Sequence, residues 1–215
     1  CSSSTSFSRN SVAAQAGTFA GWSLKRIDEL PPSGYSSAPP GCGPTETPMS
    51  CEIRVTRPRY VFIMTGTNDW ILDNSFDVVP GSRTEADMNS LIDSVRALGS
   101  VPIVSTLPPL MISRAGEAAI DPYNRAIAAS ARKKKAPLVN LWRALSQPRM
   151  INSGMDDKGL HLRVVGGETP VVEPGPDTLQ DSVNFDRESL RVGSNRRNLI
   201  LLQTLAALDR VTGLK

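Results

Sequence analysis

The run Tyr60-Val61-Phe62-Ile63-Met64 is continuously apolar, preceded by Pro58 and stopped by Gly66. Unbroken apolarity over so few residues predicts a strand covered on both faces, as in a parallel sheet. A helical period follows. Met88, Leu91, Ile92, Val95 and Leu98 share one face, with Thr84 placed to cap the helix and Gly99 to stop it. Val101 to Thr106 reads as a second strand ending in Pro108-Pro109. Asp121-Pro122 then opens a helix that runs into Arg132-Lys133-Lys134-Lys135, and Leu138 to Leu141 reads as a third, short strand. Strand, helix, strand, helix, strand with short links predicts right-handed βαβ crossovers. The predicted fold class is α/β with a parallel sheet.

The flanks are less regular. Residues 13 to 30 are mostly helix-compatible, and residues 31 to 57, rich in Pro, Gly, Ser and Thr, read as a long ordered loop. Residues 162 to 193 read as an irregular insertion, with a hairpin around Gly166-Gly167. An amphipathic helix from Asn195 to Val211 closes the sequence, apolar at Leu201, Leu202, Leu205 and Leu208. A length of 215 residues suits one domain. With 40% hydrophobic and 21% charged residues the chain is globular in composition, which excludes wholesale disorder. No apolar run approaches the roughly 18 residues of a membrane-spanning helix. The net charge of +3 is dispersed, so no nucleic-acid-binding face is expected. The Arg132–Lys135 run reads as cations at a helix C-terminus.

Cys42 and Cys51 flank a short polar loop. A disulfide across it is preferred over two unlinked thiols, and implies an oxidising compartment, extracellular or at the cell surface. Cys1 followed by Ser-Ser-Ser-Thr is similar to the start of a mature bacterial lipoprotein; an arbitrary chain boundary is the other reading. No Cys/His cluster has metal-ligand spacing, so neither metal nor cofactor is expected.

His161 is the only histidine, so any imidazole general base is this one. It follows the third strand in Gly159-Leu160-His161, with Asp156 and Asp157 upstream to orient the ring. The first strand runs into Gly66-Thr67-Asn68-Asp69, which belongs to the same carboxyl edge, where sites of open parallel sheets gather. There Asn68 offers an amide N–H for a developing oxyanion, and Trp70 a pocket wall. Taken singly, these segments read equally as a structural histidine and an ordinary turn.

Taken together they match a family. YVFIMTGTND, residues 60 to 69, resembles the third signature block of the SGNH (GDSL-type) hydrolases. VPIVSTLPP (101 to 109), Tyr123-Asn124, Leu138 to Leu141 and Gly159-Leu160-His161 follow in the family's order, so the resemblance runs over residues 5 to 165. It implies a flavodoxin-like three-layer α/β/α fold and a serine esterase without cofactor. Asn68 and the backbone N–H of Ser11 would form the oxyanion hole, and Gly17 would serve helix packing. Gly66, Thr67, Asp69 and Trp70 would surround the pocket. His161 would take the proton of a nucleophilic serine.

Two departures stand out. No Gly-Asp-Ser occurs, and Ser3 and Ser4 lack a preceding strand, so the nucleophile is unassigned. Lys158 stands three residues before His161, where the family has aspartate; a lysine cannot accept an imidazole N–H, so Asp157 is expected to do so. The family's first strand, which lies centrally between the next two, is missing or replaced. Its loss would leave strand edges unpaired, so a complementing N-terminal segment, or a sheet rebuilt from the 162 to 172 hairpin, is expected. The expected substrate is a small-molecule or carbohydrate ester. The competing function is a non-catalytic glycan-binding or structural module on the same fold.

Overall fold

The computed structural model describes residues 11–14, 17–30, 41–76, 78–112, 118–164 and 184–213. The chain divides into two compact units, Cys1–Ser105 with Pro122–Leu138, and Thr106–Asp121 with Val139–Lys215.

In the first unit, β1 (Tyr60–Ile63) and β2 (Val101–Ser105) run parallel, with Tyr60 opposite Val101 and Ile63 opposite Val104. β3 (Leu138–Val139) completes the order β1-β2-β3. Pro137 O accepts from Val104 N–H at 2.9 Å, and Val139 O from Thr106 N–H at 3.0 Å. The predicted α/β fold with a parallel sheet is what the chain adopts. Among the described residues the sheet ends at β1. The third strand is shorter than expected. Asn140 turns it instead into a short helix, accepting from Arg143 N–H at 2.9 Å, and Leu141 is that helix's first residue.

The helices differ in detail from the sequence reading. α1 (Pro48–Thr56) occupies the end of the expected long loop, where Thr47 and Ser50 form a reciprocal cap and proline starts the helix. The predicted disulfide is present and joins Cys42 to Cys51 of α1. α2 (Thr67–Phe76) begins right after β1. α3 (Ser82–Ala97) buries Met88, Leu91, Ile92 and Val95, as its period requires, while Leu98 lies outside at 41% exposure. Its N-cap is Gly81 and not Thr84, because the Thr84 hydroxyl is used elsewhere. α4 (Asp121–Lys133) starts at the predicted Asp-Pro pair. Lys134, just beyond it, pairs with Asp93. Residues 20–24 and 27–29 form 3-10 turns where a helix was expected.

The second unit holds α5 (Leu141–Leu145) and the C-terminal α6 (Gly193–Thr212). The first turns of α6 dock, with Gly193, Ser194, Asn195 and Asn198 buried. Leu201, Leu205 and Leu208 are only half-buried and Leu202 is exposed, so the expected apolar face is not core among the described residues. The hairpin around Gly166-Gly167 and the candidate serines Ser3 and Ser4 lie outside the described residues.

The fold therefore depends on the α3 face. Ile92→Ala should destabilise the protein by about 2–5 kcal/mol, and Leu98→Ala by under about 1 kcal/mol, in chemical denaturation.

Candidate active site

The first unit carries Asn68 and the residues around it. Gly66, buried at φ 121°, makes the turn from β1 into α2, a conformation that disfavours any side chain. Asp69 N–H then closes on Gly66 O at 3.1 Å, which sets Thr67, Asn68, Asp69 and Trp70 in the opening turn of α2. Thr67 and Trp70 are half-buried. Asn68 Nδ2 donates to Thr18 O at 2.9 Å, using one of its two N–H bonds.

Asp69 is fully buried. Its Oδ1 accepts from Ala20 N–H at 2.8 Å and its Oδ2 from the Thr84 hydroxyl at 2.5 Å. Burial raises its pKa, against the lowering effect of those two donors. One helical turn on, buried Asp73 accepts from Tyr123 OH at 3.0 Å. Arg83 Nε lies 3.8 Å from its other oxygen, which has no hydrogen-bond donor among the described residues. Burial, then the Asp73 carboxylate, keeps the Tyr123 phenol protonated well above the usual range.

Ser11 does not share this arrangement. It is exposed, its hydroxyl accepts from Ala13 N–H at 3.2 Å, and the next N–H, of Val12, goes to Glu52 of α1. The backbone that Asn68 meets is at Thr18, seven residues further along. Gly17, expected to serve helix packing, is exposed in a left-handed turn at φ 78°, just before Thr18, and a Cβ there would meet nothing within 4 Å among the described residues.

The second unit carries His161. Met155 bridges Leu162 in antiparallel fashion, and Asp156 N–H donates to His161 O at 2.8 Å, closing the turn that holds the histidine. Asp156 is 1% exposed. Its Oδ1 accepts from the backbone N–H of Leu160 at 3.0 Å and of His161 at 3.3 Å, and its Oδ2 lies 3.1 Å from His161 Nδ1. The orienting acid is thus Asp156. Asp157, the expected partner, points to solvent at 81% exposure and pairs with Arg163 at 2.8 Å. The reason is local: only the first aspartate faces the inside of the turn, where two backbone donors compensate its burial. Lys158 is exposed.

Three contacts fix this turn. Met111 N–H donates to Gly159 O at 2.8 Å, Arg163 N–H to Gly154 O at 2.8 Å, and Ser194 N–H of α6 to Arg163 O at 3.0 Å. Gly159 adopts φ 68°, and a Cβ there would lie 2.5 Å from the Met111 carbonyl carbon. Asp156 was legible only as one of two adjacent acids; its choice depends on turn geometry. Thr18 and Ala20 carried no signal in the sequence, because a backbone carbonyl and an N–H mark no motif, and Thr84 signalled a helix cap rather than a partner for a buried carboxylate.

The arrangement can hold an imidazole with Nδ1 against a carboxylate, which leaves Nε2 as the proton acceptor. Gly159→Ala should displace the Met111 contact and shift the His161 ring resonances in NMR, whereas Lys158→Ala should leave them in place.

No curated protein matches the chain. Among solved structures it is similar to a lipase/acylhydrolase from Enterococcus faecalis, at 21% identity and a TM-score of 0.44, covering 54% of this chain and 58% of that one. It is also similar to an acetyl xylan esterase from Geobacillus stearothermophilus in two variants. One is 22% identical with a TM-score of 0.36 (43% and 46% covered), the other 20% identical with a TM-score of 0.44 (54% and 57% covered). The chain thus spans about half the length of these structures, between 46% and 58%. A family model described as GDSL-like lipase/acylhydrolase matches residues 28–168. The chain belongs to the GDSL-like lipase/acylhydrolase family, the SGNH-type hydrolases that its signature segments resemble.

Proposed function

We propose that the protein is a serine-type esterase that hydrolyses carboxylic esters, with His161 as general base and Asn68 as oxyanion donor. The observation that carries this reading is the His161 ring held by Nδ1 against Asp156, a carboxylate that two backbone N–H groups keep in place. A carboxylate in that position fixes the tautomer with a basic Nε2 and stabilises the imidazolium formed when a serine gives up its proton. The His161 side chain is half exposed. The remaining N–H of Asn68 Nδ2 would answer the charge developing on the ester oxygen. Gly17, beside Thr18, takes over from Ser11 as the proposed backbone donor, since Asn68 meets the chain there.

The nucleophile would be a serine on a complementing segment that adds a strand beside β1, the end of the sheet among the described residues. Acetylated carbohydrates are the proposed substrate class. The Cys42–Cys51 disulfide supports an extracellular or cell-surface setting.

The test is hydrolysis of p-nitrophenyl acetate and of an acetylated oligosaccharide by protein spanning the whole reading frame. His161→Ala should lower kcat/KM by about 10²–10⁴-fold. Asn68→Ala should lower kcat by about 10²–10³-fold. Equal rates for wild type and His161→Ala would overturn the esterase reading, and saturable glycan binding without turnover would support the non-catalytic module in its place.

A further inference from the structure

Asn68 cannot hold its own amide in place. Its described anchor is a single hydrogen bond to Thr18 O, and Thr18 lies in a stretch without regular structure that precedes a 3-10 turn (Ala20–Leu24). That stretch must therefore be held by something else. Two residues after Thr18, Ala20 is 1% exposed and its N–H is taken by Asp69 Oδ1. Asp69 is the residue next to Asn68, so a short circuit closes from Asn68 to Thr18, along the chain to Ala20, and back through Asp69.

α3 supports the circuit from outside. Thr84, fully buried, donates its hydroxyl to the other Asp69 oxygen at 2.5 Å. Asp87, three residues on and so on the same face of α3, lies against Gly21. A Cβ on Gly21 would come within 2.6 Å of Asp87 Oδ2, so the backbone there passes directly over the carboxylate. Burial raises the pKa of Asp87, the neighbouring Asp69 adds to this, and the Gly21 N–H opposes it.

We propose that Asp69, locked by Thr84, is the positioning residue of the Asn68 amide, acting through Ala20 and Thr18, with Asp87 as a second support beneath Gly21. A helix-borne threonine and two carboxylates thus set where an oxyanion donor points without touching the substrate. The kinetic consequence rests on the oxyanion role proposed for Asn68; the structural consequence does not.

The test uses the full chain, asparagine-labelled for NMR. Asp69→Ala removes both acceptors, and Thr84→Val removes the hydroxyl at constant shape. Each should speed solvent exchange of the Asn68 Nδ2 protons by about tenfold or more, since the opening of a local clamp sets that rate. Asp69→Asn keeps an oxygen for Ala20 and an N–H for Thr84, so exchange should return close to wild type. In hydrolysis, Asp69→Ala should cut kcat by about tenfold to hundredfold with KM nearly unchanged, as expected for a displaced donor. In an Asn68→Ala background it should cut kcat no further.

Wild-type exchange at Asn68 in both Asp69→Ala and Thr84→Val would overturn the proposal, as would a full kcat loss in the Asn68→Ala background. If Asp69→Ala does not fold, Thr84→Val and Asp69→Asn decide it. If Asn68→Ala leaves hydrolysis unchanged, the oxyanion reading falls, while the exchange measurement still decides the clamp.

Discussion

Two carboxylates removed from water organise what each unit contributes. Burying an ionisable oxygen is costly unless N–H and O–H groups replace the lost hydration. Asp69 finds Ala20 N–H and the Thr84 hydroxyl; Asp156 finds two backbone N–H groups and the His161 ring. The donors to Asp69 sit on a 3-10 turn and on α3, whereas those to Asp156 belong to the turn that carries His161. Satisfying the carboxylate is therefore what fixes a turn that propensity alone would leave loose. Asn68 is the immediate neighbour of one such anchor, and His161 closes the turn built on the other.

Much of the fold was legible. Continuous apolarity at Tyr60–Ile63 and Val101–Ser105 specified parallel strands, although Tyr60, Val61 and Phe62 are only half-buried among the described residues and not covered on both faces. The period through Met88, Leu91, Ile92 and Val95 specified the α3 face, and Leu98 escaped it because the helix ends at Ala97. Where the reading failed, tertiary demand overrode a local rule. Thr84 looks like a cap, yet its hydroxyl is worth more to a buried carboxylate than to an N–H that solvent can satisfy. The leucines of α6 have the right period, but only the first turns dock.

The candidate site was read from residue types, and the partners of those residues came only with the structure. Asn68 and His161 follow from the ordered series of segments that places the chain in the GDSL-like lipase/acylhydrolase family. Asp156 against Asp157 is a choice made by the Gly159 turn, whose φ of 68° and contact with Met111 decide which acid faces inward. Lys158 loses its significance for the same reason: the acid moves two positions upstream, and the lysine projects into solvent.

The esterase proposal requires the Asn68 amide and the His161 imidazole to act on one acyl group. Titration with a methylphosphonate monoester, a stable analogue of the tetrahedral intermediate, tests it directly when the Asn68 Nδ2 and His161 Nε2 resonances are followed by NMR. Both should move together along one saturation curve. Movement of only one of them, or of the two with different midpoints, would contradict the account.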